Sequence, residues 1–230
     1  MSLALFDLSG KRALITGSSQ GIGFALARGM AQAGAEIVLN GRDSTKLATA
    51  AETLKAEGFK VTELAFDVTD HDAARKAVDD FEAGTGAIDI LVNNAGMQHR
   101  TPLEDFPADA FERLLQTNIA SVFNVGQAAA RHMIKRGQGK IVNICSVQTA
   151  LARPGIAPYT MTKGAVANLT KGMATDWAKY GLQCNRPTRP SSTTRNSAHG
   201  WKNGRRPAGG ARSRNLLEPA SSCPRMHRLS

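Results

Sequence analysis

Long apolar runs and paired cysteines are missing from this sequence. No apolar segment reaches the roughly 18 to 20 residues of a membrane-spanning helix, and the N-terminus, MSLALFDLSGKR, has no charged segment before its short apolar stretch. The cysteines at 145, 184 and 223 lack metal-ligand spacing and cannot all pair with one another. We therefore expect no signal peptide, no membrane partner, no metal site and a reducing, cytoplasmic environment.

Acidic residues are almost absent from the last part of the chain. Residues 186–230 contain 10 Lys and Arg against one acid, Glu218, whereas residues 1–185 contain 19 basic and 18 acidic residues. Of the net charge of +10, +9 therefore belongs to the C-terminal segment and +1 to the rest of the protein. That segment has one tryptophan and no aromatics interleaved with its basic residues. Nucleic-acid binding is thus a weak alternative, and we expect no nucleic-acid partner.

Apolar segments alternate with Ala-rich amphipathic segments up to residue 185. Strands are predicted at 12–16, 35–40, 60–66, 88–94 and 139–146, and helices up to Gly34 and over 43–57, 70–83, 107–136 and 158–180. Buried strands that alternate with helices predict a parallel sheet covered on both faces. With right-handed crossovers this is a doubly wound, Rossmann-type three-layer α/β/α domain over 1–185. Residues 186–230 are predicted to form a tail without stable packing.

The segment TGSSQGIG, residues 16–23, joins the first predicted strand to the first helix. Its three glycines would let the backbone approach a pyrophosphate and direct helix N–H groups towards it. A simple tight turn is the alternative, since the spacing differs from the commoner Gly-x-Gly-x-x-Gly. Further strands end in polar residues at the same sheet edge, where ligands of open α/β sheets bind. These residues are Asn40, Asp67, Asn93, Asn94, Cys145 and Ser146.

The segment YTMTK places Tyr159 and Lys163 four residues apart, on one face of a helix. A phenol with an ordinary pKa near 10 is a poor acid–base catalyst at neutral pH, and a neighbouring cation favours its ionised form. A solvated surface pair is the simpler interpretation of these two residues alone. Ser146 precedes Tyr159 by 13 residues, and Asn118 lies on the long predicted helix. Together the four residues indicate a catalytic group.

Residues 7–185 resemble the short-chain dehydrogenase/reductase family in their motifs and in the order of these motifs along the chain. Its members carry Thr-Gly-x-x-x-Gly-x-Gly, Asn-Asn-Ala-Gly (93–96 here), a helix Asn, a Ser and Tyr-x-x-x-Lys. The resemblance implies an oxidoreductase that interconverts a secondary alcohol and a ketone by hydride transfer, acting on a small molecule as a homo-oligomer. A catalytically silent nucleotide-binding relative is the alternative of another class, against which the intact catalytic residues argue.

The resemblance also implies the role of each site residue. Tyr159 would exchange a proton with the substrate oxygen, and Lys163 would promote ionisation of the phenol and hold the nicotinamide ribose. Ser146 would donate a hydrogen bond to the carbonyl, and Asn118 would hold a water in a proton relay. The implied cofactor-binding residues are Gly17, Ser19, Gln20, Gly21, Ile22, Gly23, Asn40, Arg42, Asp67, Val68, Asn94, Ala95, Gly96, Tyr159 and Lys163.

The end of the second predicted strand indicates which nicotinamide cofactor is preferred. Enzymes that prefer NAD usually place an acid there, and this chain has Asn40 followed by Gly41 and Arg42. A guanidinium can bind a 2′-phosphate with its planar fork, whereas a carboxylate would repel it. We therefore expect NADP in preference to NAD, although Gln20 is neutral where many NADP enzymes carry a second base.

Within the family, NNAGMQHRTPLEDF and SVQTALARPGIAPYTMTKGAVANLTKGMA are similar to gluconate 5-dehydrogenases, which interconvert gluconate and 5-ketogluconate. Acyl-carrier-protein ketoreductases and other sugar-alcohol dehydrogenases share the catalytic frame and remain alternatives. A sugar acid requires a cation and several hydrogen-bonding groups near the site. The two flanking loops offer Gln98, His99, Arg100, Gln148 and Arg153, each of which is equally compatible with a solvated loop residue.

Residues 186–230 lack what the family places after LQCN: a Pro-Gly turn, a substrate-covering helix and a last strand. We interpret this segment as the family's C-terminus translated out of frame. When the third base of each codon is joined to the next two bases, allowed codons from Trp201 onward spell EKRTPAGRWGKVEELVGARIFLSSDASSF, which resembles that C-terminus. We then expect an uncovered sheet edge, a pocket without its lid, poor solubility, weak cofactor binding and little activity.

Overall fold

Six parallel strands and six α-helices make up the part of the chain that the computed structural model describes, residues 6–187. The strands are β1 (Arg12–Ile15), β2 (Glu36–Gly41), β3 (Val61–Ala65), β4 (Ile90–Asn93), β5 (Gly139–Asn143) and β6 (Leu182–Asn185). The helices are α1 (Gly21–Gln32), α2 (Ser44–Ala56), α3 (His71–Gly84), α4 (Ala108–Leu115), α5 (Ser121–Arg136) and α6 (Ala157–Trp177).

The strands form one sheet in the order β3-β2-β1-β4-β5-β6, and every pairing is parallel. Chain order reverses between β1 and β4, which are neighbours in register from Ala13 opposite Ile90 to Ile15 opposite Val92. Such a reversal leaves a crevice at the carboxyl ends of the two strands, because the crossovers diverge to opposite faces. The prediction of a doubly wound Rossmann-type sheet is confirmed.

Side chains alternate between the two faces of the sheet and so supply two cores. On β1, Leu14 packs on the face covered by α3, α5 and α6, whereas Ala13 and Ile15 pack under α1 and α2. All three side chains are fully buried. A central strand that is apolar on both faces is what a sheet with helices on both sides requires, and the three-layer arrangement is as predicted.

The predicted helix over 107–136 is interrupted. It consists of α4, a π-turn at Gln116–Ala120 and α5. A π-turn inserts an extra residue into a helix and is frequent at functional sites. Here it contains Asn118, whose fully buried side chain is hydrogen-bonded to the backbone of Met97 and not exposed on the helix surface. Sequence periodicity does not reveal one extra residue, because the apolar pattern continues on either side.

The predicted strand over 139–146 and helix over 158–180 are both shorter in the structure. β5 ends at Asn143, and Ser146 instead caps a 3-10 helix over Val147–Thr149. α6 ends at Trp177 and continues as a 3-10 turn to Tyr180, closed by Gly181 with a φ of +77°. The glycine is required there because a left-handed conformation is costly for residues with a β-carbon.

At one edge of the sheet, β6 ends at Asn185, the residue of the predicted domain boundary. The amide of Cys145 donates a hydrogen bond of 3.2 Å to the carbonyl oxygen of Pro187, so one backbone bond also joins the segments that follow β5 and β6. The predicted lack of packing in the C-terminal tail concerns residues that, apart from Arg186 and Pro187, lie outside the described range. Within residues 6–187, none of the helices combines the length and the apolar character needed to cross a membrane.

Candidate active site

The turn between β1 and α1 has the backbone shape of a phosphate cradle. Gly17 and Gly21 both have a φ of +61°. A β-carbon on Gly23 would lie 2.2 Å from the carbonyl oxygen of Gly17, so no larger residue fits there. A β-carbon on Gly21 would meet nothing within 4 Å, which leaves open space in front of the first helical turn. The first amides of a helix have no partner within it, and so the residues present fit a nucleotide pyrophosphate.

The ends of β1 and β4 are locked together below this turn. Asn94 Nδ2 donates hydrogen bonds of 3.0 Å to the carbonyl oxygens of Thr16 and Gly17. Thr16 Oγ1 accepts bonds of 3.0 Å from the amides of Asn94 and Ala95. The predicted cofactor-binding residues Asn94 and Ala95 therefore also hold the turn in shape. Thr16 was missed as a site residue, although its position before the glycine turn is a usable signal.

Asn40 is turned into the sheet, away from the crevice. Its side chain is 1% exposed. Its Nδ2 donates to the carbonyl oxygens of Leu64 at 3.0 Å and Phe66 at 3.2 Å, and its Oδ1 accepts from the amide of Gly17 at 3.4 Å. Asn40 thus stabilises the glycine turn and the end of the neighbouring strand through hydrogen bonds. The next residue, Gly41, also lies beside the turn: a β-carbon there would be 3.5 Å from Ser19 Oγ.

The positively charged residue Arg42 follows Gly41 in the chain. The Arg42 side chain is 81% exposed, and its Nη1 is 3.9 Å from Asp67 Oδ2. Burial raises the pKa of the Asp67 carboxyl, but hydrogen bonds from the amide and hydroxyl of Thr69 and the charge of Arg42 outweigh it, and the pKa lies below its usual range. A weak, exposed ion pair leaves the guanidinium able to exchange its partner for a phosphate.

A groove of about 470 Å³ lies between the glycine turn and α2. Its lining includes Ser19, Gln20 and Gly21 from the turn and Lys46 from the first turn of α2. Lys46 Nζ is 3.4 Å from Asp43 Oδ2 in an exposed ion pair. In the sequence, the neutral Gln20 stands where many NADP enzymes carry a second base. The structure brings Lys46 into that neighbourhood from a different element, which sequence spacing does not show.

The remaining predicted cofactor residues lie around the same crevice. Ile22 is half-buried in the first turn of α1. Val68 is 9% exposed, and its carbonyl oxygen accepts a bond of 3.3 Å from Asn124 Nδ2 on α5. Gly96 lies where a β-carbon would be 3.3 Å from Asn118 Oδ1 and 3.7 Å from Lys163 Nζ. A side chain at 96 would therefore crowd the Asn118 side chain.

Asn118 joins the loop after β4 to α6. Its Oδ1 accepts a bond of 2.8 Å from the amide of Met97, and its Nδ2 donates to the Met97 carbonyl at 3.0 Å and to Thr162 Oγ1 at 3.1 Å. Thr162 in turn donates to the carbonyl oxygen of Tyr159 at 2.8 Å. A buried, fully bonded amide fixes the loop, the π-turn and the catalytic helix relative to one another.

Lys163 is 6% exposed and lies beside the phenol of Tyr159. Its Nζ is 5.8 Å from the centroid of the Tyr159 ring and donates a bond of 2.8 Å to the carbonyl oxygen of Ile144. A buried ammonium is costly unless it is bonded, and here the end of β5 supplies an acceptor. The predicted placement of both residues on one helix face is what the structure has, and the pair is not a solvated surface pair.

Ser146 is held at the start of the 3-10 helix after β5. Its side chain is 4% exposed, and its Oγ accepts a bond of 3.2 Å from the amide of Gln148. Thr149 Oγ1 accepts from the amide of Ser146 at 3.5 Å, which completes a capping box. A hydroxyl that accepts from the backbone can still donate its own proton. The sequence predicted Ser146 at the end of a strand; in the structure the strand ends at Asn143, and Ser146 is the cap of the following 3-10 helix.

The five candidate substrate residues differ in what holds them. His99 is held within its own loop: its Nε2 is 2.8 Å from Thr101 Oγ1, and its ring lies edge-on to Phe106 with centroids 5.1 Å apart. The two loops are tied together by the bond of 3.1 Å from the Thr101 amide to the Gly155 carbonyl. Of the other candidates, Gln98, Arg100 and Arg153 are exposed, whereas Gln148 is buried.

A family model described as short chain dehydrogenase matches residues 11–198. That range covers most of the chain and includes Asn118, Ser146, Tyr159 and Lys163. The chain belongs to the short-chain dehydrogenase family. The family membership that the motifs predicted is confirmed.

Relatives of this short-chain dehydrogenase act on sugar acids, as their names state. A gluconate 5-dehydrogenase of Gluconobacter oxydans is 61% identical over 181 residues, which are 79% of this chain and 71% of that protein. A 5-keto-D-gluconate 5-reductase of Escherichia coli K12 is 44% identical with the same coverage. A crystal structure of a gluconate 5-dehydrogenase from Burkholderia cenocepacia J2315, in complex with NADP and tartrate, matches with a TM-score of 0.79 and 58% identity. It covers 80% of this chain and 72% of that one.

Proposed function

We propose that the protein is an NADP-dependent dehydrogenase that interconverts gluconate and 5-ketogluconate. The observation that carries the proposal is the buried Lys163 beside Tyr159, joined through Thr162 and Asn118 to the loop at the carboxyl end of β4. The sugar acid is supported by the 61% identity to a gluconate 5-dehydrogenase. The preference for NADP is supported by Arg42 and Lys46 beside a glycine at position 41.

The chain's own groups handle the proton of the reaction. The bound nicotinamide cofactor supplies or takes up the hydride. In the reductive direction the Tyr159 hydroxyl gives a proton to the substrate oxygen, and in the oxidative direction it takes that proton back. Lys163, whose Nζ lies 5.8 Å from the centroid of the Tyr159 ring, would hold the ribose of the nicotinamide. The Ser146 hydroxyl donates to the same substrate oxygen and stabilises the charge that develops there.

The loops after β4 and β5 supply groups for the remainder of a sugar acid. Arg100 and Arg153 are exposed guanidinium groups in these loops, which suit a carboxylate. Gln98 and Gln148 add hydrogen-bonding groups to the same pair of loops. The bond between Thr101 and Gly155 holds the two loops against each other, so one small molecule can contact both.

We also propose that the protein works as a homo-oligomer in the cytoplasm. Phe123 on α5 and Met161 on α6 are each 45% exposed, which favours contact with a second copy. Burial raises the pKa of the Cys145 thiol and raises that of Cys184 to about 11. Such thiols stay protonated and are poor partners in disulfide exchange, in agreement with a reducing compartment.

Oxidation of NADPH, followed by absorbance, tests the substrate. The assay compares 5-ketogluconate, fructose and an acetoacetyl thioester, each with NADPH and with NADH. We expect the highest kcat/KM for 5-ketogluconate with NADPH. A higher kcat/KM for the thioester would contradict the sugar acid and would favour an acyl-carrier ketoreductase. Sedimentation velocity of the same preparation tests the homo-oligomer, which a purely monomeric protein would contradict.

A further inference from the structure

Two buried side-chain oxygens without a hydrogen-bond partner lie next to the catalytic residues. In the described part of the chain, four buried side-chain nitrogen or oxygen atoms lack a partner. Two are arginine Nε atoms of guanidinium groups that form ion pairs through their terminal nitrogens. The others are Gln148 Oε1 and Thr160 Oγ1, two residues after Ser146 and one residue after Tyr159. Unsatisfied buried polar groups are rare in native proteins and require an explanation.

Gln148 is attached to the proposed reaction site through its own backbone. Its amide donates to Ser146 Oγ at 3.2 Å, so one turn positions both the serine hydroxyl and the glutamine side chain. That turn, Val147–Thr149, packs against α6, the helix that carries Tyr159 and Lys163. The Gln148 side chain is 2% exposed. It therefore lies in the interior, two residues after Ser146, and not in the solvated part of the loop.

A buried carboxamide oxygen needs a donor. Removing it from water without a hydrogen bond costs free energy, because its interaction with solvent is lost. Thr160 has a hydroxyl that can rotate and can serve as donor or acceptor, whereas the oxygen of Gln148 can only accept. Since residues 6–187 provide no donor to Gln148 Oε1, a hydroxyl of the bound substrate can provide it. A polyhydroxy acid carries such a hydroxyl next to its ketone, and a simple ketone does not.

We propose that Gln148 determines specificity for α-hydroxy ketones by accepting a hydrogen bond from the hydroxyl next to the reacting carbon. The proposal rests on the proposed function, because it places the reacting carbonyl at Ser146 and Tyr159. The backbone of Gln148 orients the serine hydroxyl for that carbonyl, and its side chain recognises the adjacent carbon. A site with a buried acceptor discriminates against an analogue that lacks the matching donor, because the acceptor then stays unpaired.

The experiment compares matched substrates in the full chain and in its Gln148→Met variant, with Gln32→Met as the control. Gln32 is an exposed glutamine at the end of α1, outside the site. The first pair is 5-ketogluconate and 5-oxohexanoate, which share the carboxylate and the ketone position but differ in the hydroxyls. The second pair, 1-hydroxy-2-butanone and 2-butanone, does not depend on a sugar acid. The measured quantity is the ratio of kcat/KM within each pair, which is independent of the active fraction.

We expect Gln148→Met to lower both ratios about 10- to 100-fold, through kcat/KM for the hydroxylated substrate. Gln32→Met should leave them unchanged. Equal ratios in the wild type and Gln148→Met overturn the proposal and indicate that water alone pairs with Oε1. If 5-ketogluconate is not reduced but the second ratio falls, the proposed function fails and the role of Gln148 stands. If no substrate is turned over, calorimetry of the NADP-loaded chain compares the dissociation constants of gluconate and hexanoate. A ratio of these two constants that is the same in the wild type and in Gln148→Met overturns the proposal.

Discussion

Tyr159 and Lys163 carry the proposed chemistry at the scale of single residues. Both come from the first turns of α6, and the nearly buried ammonium lies 5.8 Å from the ring. The hydroxyl of Tyr159 is the only proton donor proposed for the substrate oxygen. Its loss should therefore affect the chemical step and leave the glycine turn, 16–23, undisturbed.

Replacing Tyr159 by Phe should lower kcat for 5-ketogluconate reduction by about 100-fold or more, which is the usual contribution of a positioned acid or base. The dissociation constant of NADPH, measured by fluorescence, should stay within a few-fold. The chain's other tyrosine, Tyr180, is 40% exposed in the 3-10 turn after α6, and Tyr180→Phe is the matched control. Turnover of Tyr159→Phe equal to that of the control would show that another residue carries the proton.

Arg42 is the residue expected to distinguish NADP from NAD. It is exposed and only weakly paired with Asp67, so a 2′-phosphate can take over the guanidinium. Arg42→Ala should weaken NADP binding about tenfold and leave NAD binding unaltered, because a charged hydrogen bond is lost with one cofactor only. Calorimetry with both cofactors measures this. Arg75→Ala, on the surface of α3, is the control, and an unchanged NADP/NAD ratio in Arg42→Ala would refute the assignment.

The elements around the crevice are joined by buried amides. Asn94 ties the end of β4 to the glycine turn, and Asn118 ties the π-turn to α6 and to the loop after β4. Asn40 joins β2 to β3 and to the turn through three hydrogen bonds. A carboxamide suits such a position because it donates and accepts at once. The crevice is thus held in shape by side chains that need not contact a ligand.

Asn40→Asp tests this account of the strand ends. A carboxylate cannot donate to the carbonyl oxygens of Leu64 and Phe66, so the free energy of unfolding should fall by about 1–3 kcal/mol. Urea unfolding followed by circular dichroism measures it. Asn168→Asp, at an exposed position on α6, makes the same chemical change as a control. Equal stability of the two variants would mean that the bonds of Asn40 contribute nothing.

At the scale of the whole molecule, the sheet is covered unevenly within residues 6–187. α1 and α2 contact β1, β2 and β3, and the same face continues over β5. There Val142 and Ile144 are only partly buried, whereas Ile15 and Leu39 on the covered strands are fully buried. The C-terminal segment that family members carry after LQCN is expected to complete this region.

The coding DNA tests the interpretation of residues 186–230 as a shifted reading frame. We expect the DNA from the third base of the Trp201 codon onward to spell EKRTPAGRWGKVEELVGARIFLSSDASSF. The family's C-terminus would then be present in another reading frame. Codons that spell any other string would end the hypothesis. A chain with the frame restored after Asn185 should have a higher kcat/KM than the chain as it stands, and equal activity of the two would contradict the expected loss.

Much of the fold follows from local sequence signals. Gly34, Gly58 and Gly181 mark the ends of helical segments and all have positive φ, because only a glycine adopts that conformation without strain. The alternation of apolar strands and amphipathic helices determined the parallel, doubly wound sheet. The order of the motifs determined the family and predicted the four catalytic positions. These signals are local or depend only on order along the chain, and so the sequence by itself determined them.

Tertiary structure decided which way the polar side chains face and what they bind. The Asn40 side chain bonds to β3 and to the glycine turn, which only the packing of these elements brings together. Lys46 reaches the groove beside the turn only through the packing of α2. Within residues 6–187, Gln148 Oε1 lacks a donor only once the surrounding residues are in place. Such facts depend on contacts between residues distant in sequence, which no local pattern encodes.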